Sequence, residues 1–417
     1  MTLKMIKAGS TTLLYLAALG VFAQVSPQVE QAVLQQIYAR CPDADIITID
    51  RTPHGYVEID HLCNGRMVEV GFMNGVEEFR EEEIAIDEAP MERIGQKIAK
   101  DHPAGFLDEV SLMTVKDTSF IKAEVIENGI EYHLFFTREG KVYKPARDMA
   151  AEKWPLSAIG SAGITGPTGH DLLRPDTVIE LPPILREISG ITLLNANTVL
   201  CVQDELGVVF HLDLPGGHIK KVQRFTDVGD FEDITSMNGA IKVLRSDGMI
   251  FTLEKDGSIS QQLLQLPTLN VEGLHYSAKD ARLLLVSKEP PLAGGDSNGI
   301  YSIAEGRATE LFPIDEQQII SHLQRTAPSL VKGKIGFAPS ALAVHPVTGE
   351  LYVLSAADRL IAIYNDEGLH NVVPLPAETY FKPEGIAFLP NGDMLISTEG
   401  DKKGFAQPAI ILTKYRK

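Results

Sequence analysis

The sequence predicts an α+β domain, made of two helix-plus-antiparallel-sheet repeats, followed by an all-β propeller of five blades. Three observations predict it. Residues 178–417 consist of short strand-like runs separated by turn dipeptides. Within them one acidic motif returns at intervals near 40–45 residues. Ahead of them a helix followed by strands occurs twice between residues 24 and 146, the copies offset by 62 residues from Val29 to Met91.

Residues 1–23 read as a secretory signal. Lys4 and Lys7 give the positive n-region, TTLLYLAALGVF (11–22) the apolar h-region, and Ala23 a small residue for cleavage before Gln24. The alternative, an uncleaved anchor, needs ~20 apolar residues, more than this run supplies. The chain is therefore expected to be periplasmic or secreted, with no membrane span after signal cleavage. Export exposes Cys41, Cys63 and Cys201 to an oxidising compartment. If the strand ending at Cys63 pairs antiparallel with the one starting near Asp45, the Cys41 and Cys63 sulfurs become neighbours. A disulfide and two free thiols both fit the sequence. Cys201, inside TVLCVQD, reads as a small buried hydrophobe. Apolar residues make up 44% and charged residues 23% of the chain, which is a globular composition. The net charge of −18 argues against a nucleic-acid partner, because phosphates need clustered Lys and Arg.

The domain at 24–146 opens with VEQAVLQQIYARC (29–41), whose Val29, Val33, Leu34 and Ile37 recur at helical spacing. Strand-like DIITIDR, GYVEIDHL, RMVEVGFM and VEEFREEEIAI follow. Tyr56-Val57-Glu58-Ile59-Asp60 alternates as a half-buried antiparallel strand does. The second copy has the helix MERIGQKIAKDHP (91–103) and the strands EVSLMTVKD, FIKAEVIEN, IEYHLFFTR and KVYKPA. This layout resembles the PepSY-like, or β-lactamase-inhibitor-protein-like, domains of secreted bacterial proteins, which implies a binding or inhibitory module. The acidic run from Glu77 to Glu88 reads as a solvated face.

Residues 147–177, rich in Gly, Pro, Ser and Thr, read as a linker, with Trp154 docking it onto a neighbour. In the propeller, at 178–417, Asp-Gly at 247–248 and 256–257, Thr-Gly at 348–349 and Asn-Gly at 391–392 mark hairpins. A helix is expected at IDEQQIISHLQ (314–324).

The recurring motif appears as EISGI around Glu187, FEDI around Glu232, VEGL around Glu272 and PEGI around Glu384, with Ser340 in its place in PSAL. The intervals are 45, 40, 68 and 44 residues, the long one holding a Pro/Gly loop and the helix. About four short strands per unit at this period give five blades, with a sixth, closed by the termini, left open. The residue before each inner strand sits at one mouth of the channel, so Glu187, Glu232, Glu272 and Glu384 are expected to converge. Two like charges ~4 Å apart repel by about 4 kcal/mol at an effective dielectric near 20. Protonation, Lys or Arg partners, or a hard cation such as Ca²⁺ must offset this. The alternative is that each Glu makes a repeated structural hydrogen bond. Glu205, Glu289 and Glu399 share a second position, after the second strand, and are candidate further ligands. Lys288 and Arg245, one place earlier, are candidate neutralisers.

EISGI, the Gln-Asp-Glu turn, DFEDI, NVEGL, VSKE, PSALAVHP and KPEGIAFLPNGDMLISTE occur in the order seen in the SdiA-regulated, YjiK-like family, which 178–417 resembles. The resemblance implies a five-bladed propeller with a calcium site, carried here by Glu187, Glu232, Glu272 and Glu384. Asp233 stands where the motif elsewhere has Gly, so either Glu232 or Asp233 is the ligand in that blade. No nucleophile elbow, zincin motif or phosphate loop is present. Gly295-Asp296-Ser297 lacks an evident partner, and His275 and His345 read as strand residues. The expected function is an exported calcium-binding propeller that binds a protein or small-molecule ligand at its channel face. The alternative is a Ca²⁺-dependent lactonase- or phosphatase-like hydrolase at the channel mouth, with Asp204, Glu205, Glu289 or Glu399 as its base.

Overall fold

In a computed structural model of the chain, the described residues are 27–51, 56–145, 168–214, 216–268, 270–290, 298–328, 337–401 and 403–416. The expected signal, Trp154 and the Gly295-Asp296-Ser297 loop lie outside them. The chain forms two compact units, divided between Glu82 and Glu83.

In the first unit, α1 (Pro27–Arg40) precedes the antiparallel strands β1 (Asp45–Arg51), β2 (Tyr56–Cys63), β3 (Arg66–Met73) and β4 (Val76–Glu83). Val33 and Ile37, one turn apart on α1, bury against Val57, Ile59, Val68, Val70 and Phe72. Asp45 pairs with Leu62, and this brings Cys41 to Cys63, where a disulfide joins Cα atoms 6.0 Å apart.

The second unit begins with the second copy: α2 (Met91–Asp101), β5 (Phe106–Val115), β6 (Thr118–Glu127) and β7 (Ile130–Phe136). Ile94 and Ile98 bury against Val110, Ile121, Ala123, Val125 and Phe136. The fourth strand expected at 141–146 does not form: the chain makes a single bridge, Val142 to Phe136, before Pro145, which has no N–H to continue a ladder.

Next come five four-stranded antiparallel sheets. The first is β9 (Ile188–Asn195), β10 (Thr198–Gln203), β11 (Val208–Asp213) and β12 (Ile219–Arg224), after β8 (Thr177–Glu180). The second is β13 (Phe231–Met237), β14 (Ala240–Arg245), β15 (Met249–Leu253) and β16 (Ile259–Leu263). The third is β17 (Val271–Ser277), β18 (Arg282–Ser287), β19 (Asn298–Ala304) and β20 (Arg307–Ile314). After α3 (Glu316–Thr326) the fourth is β21 (Pro339–Val344), β22 (Leu351–Ser355), β23 (Leu360–Asn365) and β24 (Gly368–Pro374). The fifth is β25 (Pro383–Phe388), β26 (Met394–Thr398) and β27 (Ala409–Thr413), completed by β8, whose Ile179 pairs with Ile410. The first and last strands of the propeller segment thus close blade five, and no sixth four-stranded blade forms among the described residues.

The second strands of the blades bury both faces, which explains why they read as continuous apolar runs. Val199 and Cys201 of β10 face Leu395 and Ile410 of blade five; Leu200 and Val202, alternating with them, face Ile234 and Val243 of blade two. The other blade pairs meet in the same way, Leu244 on Leu274, Val286 on Leu342, and Leu354 on Ile386. The end of the expected linker is part of this body: Leu172 is buried between blades four and five, and the imidazole of His170 lies 3.0 Å from the Gly392 carbonyl. His345 is buried and accepts the Thr348 N–H at 3.1 Å, a turn role. Asp315 caps α3 by accepting the Gln317 and Gln318 N–H groups, a type of contact that contributes ~1 kcal/mol.

Candidate functional site

In every inner strand the pairing with its neighbour skips one residue near the strand's start. The ladder passes from Phe231 to Asp233, Val271 to Gly273, Pro339 to Ala341 and Pro383 to Gly385. Glu232, Glu272, Ser340 and Glu384 are therefore the skipped residues, released from the sheet at the channel mouth. In blade one Ile188 pairs with Gln203 and Ile191 with Cys201, which leaves Ser189 and Gly190 opposite Val202. Gly190 is crowded by Asp233 of the next blade as Gly273 is by Ala341, so Ser189 matches the skipped residue. This corrects the sequence alignment, because Glu187 lies two places earlier.

The position of Glu187 is that of Asp230, Asn270 and Lys382. The carbonyls of these four accept the N–H groups of Asp204, Ser246, Lys288 and Glu399. The second repeated position is thus Asp204, Ser246, Lys288 and Glu399. Glu205 and Glu289 fall one residue beyond it and are exposed. Arg245 also stands apart, its guanidinium donating to both carboxylate oxygens of Asp247 at 2.9 and 2.7 Å.

Asp233 has its two oxygens on backbone amides, accepting from Ile234 at 2.8 Å and from Leu274 of blade three at 2.6 Å. It ties blades two and three together. The space beside blade one is equally tight: a Cβ on Gly190 would come within 2.2 Å of Asp233 Oδ1.

The mouth carboxylates are held among two lysines. Lys288 Nζ lies 2.6 Å from Glu272 Oε1, and the Glu272 side chain is only 5% exposed. Burial alone would lower the Lys288 pKa, but Glu272, Glu232 and Glu384 together raise it. Lys382 Nζ lies 2.7 Å from Glu399 and 3.4 Å from Glu384, and these acids likewise raise its pKa against burial. Burial, then the Glu272 charge, pushes Glu232 well up. Glu384 is also pushed up by burial, reinforced by Glu399 and Glu272 and opposed by Lys382. Lys382 is a site residue outside the sequence expectations, and its signal is the Lys two places before Glu384 in KPEG.

Asp204 has its pKa pushed up to about 7, by burial first and then by Glu187, Glu399 and Glu205. Its Oδ1 is buried without a hydrogen-bond partner. In the unfolded chain the group ionises near ~3.9. Its contribution to stability is therefore fully present below that value and is lost as pH rises through about 7. We expect Asp204→Asn to flatten the fall in melting temperature between mildly acidic and mildly alkaline buffer. At the alkaline end the variant should gain roughly 1–2 kcal/mol, less than the full shift implies because the group is partly exposed. Parallel melts of parent and variant check this.

These residues fit a calcium ion poorly. Calcium takes six to eight oxygen ligands, whereas the skipped carboxylates converge on ammonium groups. The expected ring of four glutamates has three members in register, with Lys288 among them.

Blade four leaves a gap in the ring. Its mouth positions are Ala338 and Ala356 and its skipped residue is Ser340. A cavity of about 270 Å³ opens there, lined by these three with Pro339, Ala357, Arg359, Phe381, Lys288, Lys382 and Glu384. Arg359 is buried at φ 52°, a left-handed conformation costly for a residue with a Cβ. Its guanidinium is anchored by donating to the carbonyls of Tyr380 and Phe381 at 3.1 and 2.8 Å.

A second polar group lies on the β6–β7 hairpin. Glu124, Glu131 and His133 place ligand atoms within 4.8 Å of one another. Lys122 already lies 2.6 Å from Glu124, and Arg186 lies 3.3 Å from Glu131, so each carboxylate has its cation.

No family model matches the chain, and no curated protein does. Among solved structures, a DUF2874 family protein from Bacteroides uniformis is 22% identical over 28% of this chain and 87% of its own, with a TM-score of 0.25. A BLIP-like protein from Bacteroides fragilis is 21% identical over 27% of this chain and 82% of its own, with a TM-score of 0.24. A virginiamycin B lyase from Staphylococcus aureus is 13% identical over 88% of this chain and 94% of its own, with a TM-score of 0.31.

Proposed function

We propose that the chain is an exported binding protein whose propeller receives a small ligand at the channel mouth, in the cavity below blade four. The cavity carries this reading: it is concave, largely apolar on one wall, and has a few charged groups converging on the other, as small-ligand sites do. The α+β repeats act as the module that meets a protein partner, and membership of the SdiA-regulated, YjiK-like family is part of the same proposal. The Cys41–Cys63 disulfide suits an oxidising compartment and supports export together with the signal-like start. No helix of the described residues is long and apolar enough to cross a membrane.

A thermal-shift screen of small metabolites against the parent and Ala356→Trp tests the reading. Ligands are expected to raise the parent melt by several degrees and to lose that effect in the variant, whose indole fills the cavity. Equal shifts in both proteins place binding elsewhere. An enzymatic reading is favoured by one observation, Asp204, whose pKa is pushed up to about 7 and whose Oδ1 is buried without a hydrogen-bond partner. It predicts hydrolysis of a lactone or phosphate ester that Asp204→Asn abolishes; ligand binding without turnover opposes it.

A further inference from the structure

We propose that the blade-four cavity recognises a small monocarboxylate, its anionic head between Lys288 and Lys382 and its apolar body along Ala356, Ala357 and Phe381. This rests on the reading of the cavity as a binding site. Three cations line it, Lys288, Lys382 and Arg359, against one acid, Glu384. The lysine side chains are 46% and 52% exposed, whereas their partners Glu272, Glu384 and Glu399 are 5%, 15% and 13% exposed. The ammonium groups therefore lie outermost, and an entering ligand meets them before the acids.

An ammonium has three N–H donors. Among the described residues Lys288 has one carboxylate at ion-pair distance, which leaves donors to turn toward the cavity. Counting partners behind the wall, three cations face Glu272, Glu399 and Glu384. Burial, with Glu399 and Glu272 nearby, pushes Glu384 toward its neutral form against the pull of Lys382. Each lysine keeps an acid, Glu272 on Lys288 and Glu399 on Lys382, so each offers only its spare N–H donors, which suits a monoanion better than a phosphate dianion. The protonated Glu384 can also donate a hydrogen bond to the incoming carboxylate, as an ionised one cannot. At about 270 Å³ the cavity falls just short of the ~300 Å³ at which drug-sized sites begin, so the body is short.

Binding is then linked to the proton on Glu384, whose charged neighbours are Lys382, Glu399, Glu272 and Lys288. Affinity is highest where Glu384 is protonated and falls as rising pH ionises it. Calorimetric titration of the full mature chain with hexanoate, hexyl phosphate and hexylammonium is the test. Hexanoate is expected to bind one site at least tenfold more tightly than the other two, and more weakly in alkaline than in mildly acidic buffer. Lys382→Met should weaken it at least tenfold, Lys382→Arg should largely restore it, and Ala357→Trp, at an exposed wall position, should block it without a folding defect. Equal or tighter binding of hexyl phosphate or hexylammonium, blocked by Ala357→Trp, would overturn the monocarboxylate and leave the pocket standing. Hexanoate binding that ignores Lys382→Met and Ala357→Trp overturns the site itself. No hexanoate binding at all overturns the inference, and the metabolite screen then judges the pocket alone.

Discussion

Lys288→Met is expected to destabilise the propeller by about 2 kcal/mol, and Glu272→Gln in the same chain to recover most of that loss. Glu272 is 3% exposed and its neighbour across the mouth is another acid, Glu232. Removing the ammonium 2.6 Å away leaves a buried charge with no counter-charge, which in fully buried pairs costs ~3–5 kcal/mol. The lower figure allows for solvent screening, because the Lys288 side chain is about half exposed. Denaturant midpoints at constant m-value for the parent, both single variants and the double variant give the coupling directly. A Lys288→Met chain as stable as the parent would mean that Lys288 does not balance the ring.

Reduction of the Cys41–Cys63 disulfide, or its replacement by two serines, is expected to cost the first unit ~3 kcal/mol. The bond joins residues 22 apart in sequence, and loops of that size lose about this much unfolded-state entropy when closed. The bond also pins the end of α1 to the end of β2, the contact on which the Val33 and Ile37 face depends. Hydrogen exchange of the α1 and β2 amides, with and without reductant, localises the effect. Unchanged protection would show that the helix docks through its apolar face alone.

The sequence carried the blades well, for physical reasons that can be named. Alternate residues of one strand bury on opposite neighbours, as Val199 and Leu200 do, so the second strands become short apolar runs between turns. The α3 helix was equally legible, since Asp315, Ile319 and Leu323 give it a cap and an apolar stripe. The disulfide stayed open in the sequence, which fits two free thiols as well, and the pairing of β1 with β2 decides it.

Register at the mouth was read less well, because glutamates were aligned with glutamates. The position after the skipped residue is the better marker, since the next blade's backbone crowds it. A Cβ on Gly385 would lie 2.7 Å from the Ser189 carbonyl oxygen, and one on Gly273 would lie 3.0 Å from the Ala341 Cα. Gly190, Asp233, Gly273, Ala341 and Gly385 line up in the ladder, and that alignment puts Ser189, not Glu187, in the ring. Lys288 is among the neutralisers the sequence suggests, Lys382 is not, and neither follows from the repeat. Their side chains reach the mouth from positions that carry other residue types in other blades, Lys288 beside Ser246 and Lys382 beside Asp230, so no repeat announces them. The fourth strand of the second α+β copy failed for a local reason, the proline at 145.

The central claim is that ammonium groups of the chain itself balance the acidic ring. Thermal melts of the mature chain in excess Ca²⁺ and in chelator test it most directly. A cation bound at 100 times its dissociation constant would add ~2.7 kcal/mol and move the melt by several degrees. Superimposable melts, with no calcium found by metal analysis of the purified protein, are the predicted result. An upward shift with Ca²⁺ that chelator reverses, abolished by Glu232→Gln or Glu384→Gln, would contradict the claim and place a metal where Lys288 stands.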